Sequence, residues 1–145
     1  MSAETQAPRF FAFYGHKGGA GRSMLAANVA YKIAEKGKNV LLVDWDIEAP
    51  GIGNFFDLSK SGSAADRWRT SSGVFDLLAE CRDESGVKLL DKVTSYLSVN
   101  VLDVLTDASG NLKLLGPGNQ TAPDFATAQM SADWNGFYAG YSRKY

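Results

Sequence analysis

Phe10-Phe11-Ala12-Phe13-Tyr14-Gly15-His16-Lys17-Gly18-Gly19-Ala20-Gly21-Arg22-Ser23 is the stretch on which the fold turns. Its first five residues are an uncharged apolar cluster, which predicts a buried strand ended by Gly15. A turn crowded with glycine follows. Beyond it, Leu25, Ala26, Val29, Ala30, Ile33 and Ala34 recur at helical spacing. Glu35 falls off that face, and Lys36-Gly37 supply a cationic last turn and a stop. Asn39-Val40-Leu41-Leu42-Val43 is a short aliphatic run of the kind buried in a parallel sheet, and it ends at Asp44-Trp45-Asp46. Strand, glycine turn, helix and strand in that order predict a right-handed βαβ unit. Such a unit sets the glycine turn and both aspartates at the carboxyl ends of parallel strands, the edge where open α/β sheets bind ligands.

The turn has the composition that a polyphosphate requires. Backbone N–H groups must curl around the phosphates, and side chains there would block the approach; Gly18, Gly19 and Gly21 meet that need. The helix starting near Ser23 adds free N–H groups and the positive end of its dipole. A hydroxyl directly after a basic residue suits a magnesium ion bridging the outer phosphates, which makes Ser23 the metal-ligand candidate.

Against the ordinary P-loop pattern the match fails in two places: its first glycine falls on His16 and its lysine on Arg22. The order lysine, two glycines, two spacers, a basic residue and Ser/Thr, here Lys17-Gly18-Gly19-Ala20-Gly21-Arg22-Ser23, instead resembles the deviant loop of the MinD/ParA ATPases. It is most similar to the bacterial subgroup with arginine in the second basic position. Val43-Asp44-Trp45-Asp46-Ile47-Glu48-Ala49-Pro50-Gly51 resembles the same subgroup. The likeness spans residues 9–56 and weakens beyond them.

This resemblance implies an α/β, P-loop NTPase-like fold, a three-layer sandwich on a mostly parallel sheet. It implies ATP and Mg²⁺ as cofactors and a nucleotide-dependent homodimer that reports to an unidentified partner protein. Carried over by motif position, Lys17 is the signature lysine that crosses the dimer interface to the partner's phosphates. Asp46 orients or activates the attacking water, so Lys17 and Asp46 are the catalytic candidates. Gly18, Gly19, Ala20, Gly21, Arg22, Ser23 and Met24 form the nucleotide-binding set, and Ser23 with Asp44 forms the metal set. Phosphoryl transfer is mainly positioning and charge neutralisation, so these residue types suit the chemistry. Arginine offers a planar fork where lysine offers a compact ammonium, and slow hydrolysis is expected from Arg22. Family members are longer, with a second switch in later strands. Residues 1–145 are therefore expected to be a single N-terminal part of such a domain, an ATPase in full-length form and inactive alone. Two other readings stay open: a nucleotide-binding or scaffold module without catalysis, and a tyrosine autokinase-like protein. The latter usually has lysine where Arg22 stands.

Farther along, Ser59 to Ala65 reads as a loop and Val74 to Arg82 as a short helix. Val87 to Val93 reads as a helix turn, and Leu97 to Leu105 as a third strand. Residues 106–127, rich in Gly, Asn, Asp, Thr and Pro, are expected to be irregular, although Leu112, Leu114 and Leu115 interrupt them. Trp134, Phe137, Tyr138, Tyr141 and Tyr145 suggest one face of a terminal helix. Val99-Asn100-Val101-Leu102-Asp103 imitates a Walker-B strand, but Asp103 is read as a false friend. His16 reads as a loop residue, Glu48 as a turn residue, and Trp45 as packing or interface.

The bulk numbers close off several functions. Fifteen basic and 16 acidic residues leave a net charge of -1, which gives no electrostatic case for nucleic acid or anionic membrane. Cys81, the single cysteine, supplies neither an internal disulfide nor a multi-cysteine metal site. The polar start, Met1 to Arg9, lacks a signal-peptide core, and no run reaches membrane-spanning length, so a cytoplasmic location is expected.

Overall fold

The computed structural model describes residues 7–15, 17–56, 58, 63–81, 91–97, 102–107 and 110–131. Helix α1 (Arg22–Glu35) follows the glycine loop and leads into strand β1 (Asn39–Val43) and a 3₁₀ turn (Ile52–Phe56). Helices α2 (Ser63–Thr70), α3 (Val74–Cys81) and α4 (91–97) come next. Strands β2 (Leu102–Asp107) and β3 (Gly110–Leu115) precede helix α5 (Phe125–Ser131). The result is an α/β arrangement around a small mixed sheet of order β1-β3-β2. β1 runs parallel to β3 with Val40 opposite Leu112 and Leu42 opposite Leu114, while β2 runs antiparallel to β3.

Strand β3 is the centre of the packing. Its burial alternates, with Leu112 and Leu114 wholly buried between exposed Asn111 and Lys113. Leu112 packs with Ala30 and Ala34 of α1. Leu114 packs with Ile52, Leu58 and Trp68. Leu115, one residue on, joins a separate cluster with Ile47, Val74 and Tyr96. Helix α1 meets the sheet through Ala26, Ala27, Ala30 and Ala34. These small side chains let helix and strand approach closely at little side-chain entropy cost. Its face is turned from the one expected, for Leu25 is 53% exposed. The helix stops where the amides of Lys36 and Gly37 bond back to Ile33 and Ala34.

Four expectations need correction. Phe10–Tyr14 is not a buried strand: residues 7–15 lie outside the sheet, with Phe10, Phe11 and Tyr14 largely exposed. An apolar run becomes a strand only beside a free ladder, and β1 takes β3 as its neighbour instead. The expected βαβ unit is therefore not closed by these residues. The irregular reading of 106–127 fails at Gly110–Leu115, where leucines alternating with Asn111 and Lys113 form the central strand. The glycines and polar residues around that short run masked its period of two. Ser63–Ala65, read as loop, begins α2. The third strand begins later than expected, at Leu102, because Leu97 ends α4. Most of the Val87–Val93 segment, His16 and the aromatic residues from Trp134 onward lie outside the described residues. Among the described residues, no helix is long and apolar enough to cross a membrane.

Candidate functional site

Three segments build the site: the glycine loop, the first turn of α1 and the turn that follows β1. Gly19 and Gly21 adopt φ of 72° and 75°, the left-handed region that side chains with a Cβ rarely enter. Gly21 is also the residue from which α1 departs, and its carbonyl accepts the first helical bond, from the amide of Leu25 at 2.9 Å. No side chain caps this helix start, and its first turn holds no acidic residue. The positive end of the helix dipole is therefore uncompensated by the chain itself. Gly18, Gly19 and Ala20 are exposed, and a Cβ placed on Gly18 or Gly19 would meet nothing within 4 Å. The loop's outer face is open to a ligand.

The candidate metal residues converge on Gly51. The carboxylate of Asp44, 2% exposed, accepts backbone N–H groups from Gly51 at 3.1 Å and Ile52 at 3.0 Å on Oδ2. Its Oδ1 accepts the Asp46 amide at 3.3 Å. On the other side of the same glycine, the position of a Cβ on Gly51 lies 3.7 Å from Ser23 Oγ. One residue of the turn thus touches both oxygen donors. Burial pushes the Asp44 carboxyl above its ordinary value of 3.8; the bonds from Ile52, Asp46 and Gly51 pull the other way, and the nearby Asp46 charge adds to the rise. Desolvation wins because the charged form loses more hydration than three amides restore.

Arg22, the first residue of α1, turns back across the loop, and its Nη1 donates to the carbonyl of Gly15 at 2.7 Å. Lys17 is exposed on the loop, and Met24 is 52% exposed on the first turn of α1. Asp46 is exposed too, and its Oδ1 accepts the amide of Ala49 at 3.0 Å, folding the turn on itself. Trp45 stands 58% exposed between the two acids. The structure therefore brings Ser23 and Asp44 together, while Lys17 and Asp46 project into solvent. Asp103 stands on antiparallel β2, with its carboxylate 3.6 Å from Lys113. It lies on the far strand of the sheet from Asp44.

Sequence reasoning missed the backbone half of this site. The amides of Gly51 and Ile52 hold Asp44, the carbonyl of Gly15 holds Arg22, and the carbonyl of Leu115 accepts the Asp44 amide at 2.9 Å. Pro50-Gly51 after the acids was the one visible signal, a turn-forming pair where the chain must fold back.

Residues 7–74 match the family model ParA, described as NUBPL iron-transfer P-loop NTPase. Neither a curated protein nor a solved structure gives a significant match to the chain.

Proposed function

Since residues 7–74 are a P-loop NTPase segment of the MinD/ParA type, we propose that this chain binds Mg-ATP and belongs to an ATP-hydrolysing, dimerising switch. The observation that carries the reading is the convergence of Ser23 Oγ and the Asp44 carboxylate on Gly51, beside an uncapped helix start. A hydroxyl and a carboxylate are the hard oxygen donors magnesium takes, so Ser23 and Asp44 would hold it, Asp44 through a water. The metal would neutralise charge on the outer phosphates. Gly18 to Ser23 would wrap those phosphates with amides, and Arg22 would add charge-assisted bonds. Met24, on the first turn of α1, would complete the binding set. Lys17, exposed on the loop, would reach across to the phosphates held by a second copy. Asp46, exposed beside the buried Asp44, would orient the attacking water.

In the complete domain the sheet would be mostly parallel and flanked by helices on both faces, with Phe10–Tyr14 as one of its strands. The partner protein that reads the switch is unidentified; the near-zero net charge supports neither nucleic acid nor membrane as its cargo. Iron transfer belongs to the description of the family model. These 145 residues hold one cysteine, so the proposal rests on the nucleotide loop.

Titration calorimetry of the chain with ATP, with and without magnesium, tests the binding step. Binding that requires magnesium, followed by phosphate release in a coupled assay, supports the switch. Binding without release favours a nucleotide-binding module. Silence toward both ATP and GTP sinks the assignment.

A further inference from the structure

The glycine loop carries a liability that Arg22 is placed to correct. Gly18, Gly19 and Gly21 give residues 15–22 wide conformational freedom, and no side chain caps the helix that follows. Such a loop would sample many shapes, few of which could wrap a phosphate. The Arg22 side chain leans toward the amino end of α1, as helical side chains do, and bonds the Gly15 carbonyl. Gly15 and Arg22 are the two ends of the loop. A 2.7 Å bond from a guanidinium to a half-buried carbonyl is charge-assisted and directional.

We infer that Arg22 is a positioning residue: its Nη1 closes the phosphate loop against Gly15, and the rest of its fork stays available to the ligand. This rests on the nucleotide reading above but assigns the arginine a task that exists before any nucleotide arrives. It also gives a reason for arginine at this position. A fork can spend one nitrogen on the loop and keep others for phosphate oxygens in a fixed plane, whereas an ammonium is a single point. Gly15 fits the same design from the other side. A Cβ there would stand 3.3 Å from Arg22 Cδ, closer than most side chains tolerate.

The two residues give a test in which charge and closure separate. Gly15→Val keeps the arginine and its charge but crowds its stem, whereas Arg22→Gln removes both charge and reach. The readout is the rate of trypsin cleavage after Lys17 in the nucleotide-free chain, with thermal unfolding followed in parallel. Each variant should speed cleavage roughly tenfold, the equivalent of one lost charge-assisted bond, at a nearly unchanged unfolding midpoint. The double variant should cleave no faster than the faster single, since both break one contact. If Gly15→Val lowers the midpoint as well, Gly15→Ala is the milder probe, and its cleavage should still exceed wild type. Wild-type cleavage in the glycine variants, or additive effects in the double, would overturn the inference. Mg-ATP separates the two proposals: if it fails to slow cleavage of the wild-type chain while the variants remain fast, the clamp stands and the nucleotide reading falls.

Discussion

The backbone amide of Asp44 donates to the carbonyl of Leu115 at 2.9 Å, which ties the acid at the end of β1 to the end of the neighbouring parallel strand. The carboxylate then gathers the amides of Asp46, Gly51 and Ile52, so one residue is held by its backbone and holds a turn by its side chain. Asp44→Ala removes the acceptor and strands the buried Ile52 amide. At about 1–3 kcal/mol for each donor left unpaired, the variant should lose roughly 2–4 kcal/mol in urea unfolding.

The same carboxyl sets a pH signature. Its value in the folded protein lies above 3.8, chiefly through desolvation, so the native state binds the proton more tightly than the unfolded chain. The contribution of Asp44 to stability is therefore greatest below about 3.8 and falls as pH rises through the elevated folded value. The difference in unfolding free energy between wild type and Asp44→Asn should shift against wild type as pH climbs through that window. A flat or opposite trend would show that the three amides outweigh the burial.

Gly21 and Gly18 differ in what an added methyl costs. Gly21 holds φ at 75°, whereas a Cβ on Gly18 meets nothing within 4 Å. Gly21→Ala should destabilise the chain by about 1 kcal/mol through backbone strain. Gly18→Ala should leave the unfolding midpoint unchanged and weaken only Mg-ATP binding, because its methyl would intrude on the phosphates. Calorimetry and thermal unfolding on both variants separate the two effects.

Lys17 is exposed on the loop. Lys17→Ala should leave stability within about 0.5 kcal/mol of wild type. Phosphate release from the dimerising protein should fall by about a hundredfold or more if the lysine neutralises the transferring group. Unchanged release would remove Lys17 from the catalytic set.

Leu112 and Leu114 bear the core on one face of β3. Truncating either to alanine should cost about 2–5 kcal/mol, the range for a fully buried leucine. A loss below 1 kcal/mol at Leu112 would mean that β3 is not the centre of the sheet.

The parts of this fold that could be read ahead are those whose physics is local. Gly37 and Lys36 mark the end of α1, the apolar Asn39–Val43 run marks a strand, and Val74–Cys81 is a helix by its own periodicity. What escaped depends on partners distant in sequence. Phe10–Tyr14 has every residue type a strand wants, yet pairing is decided by the neighbour, and β1 pairs with a segment 71 residues or more away. Leu112 and Leu114 needed the alanines of α1 and the ring of Trp68 to show why they alternate. The site divides the same way. Side chains named by the loop motif were legible, but the amides and carbonyls that grip Asp44 and Arg22 carry no letter in a sequence.

Strand β1 uses one of its edges for β3, and among the described residues nothing ladders with the other. That margin is five residues long, uncharged and free of proline, with Leu41 42% exposed. Nature usually guards such a margin with lysine or a bulge, since an unguarded one invites a second molecule to lie alongside. Handling this chain is thus a matter of concentration: turbidity should grow with protein loading, and Leu41→Lys should raise the ceiling at which solutions stay clear.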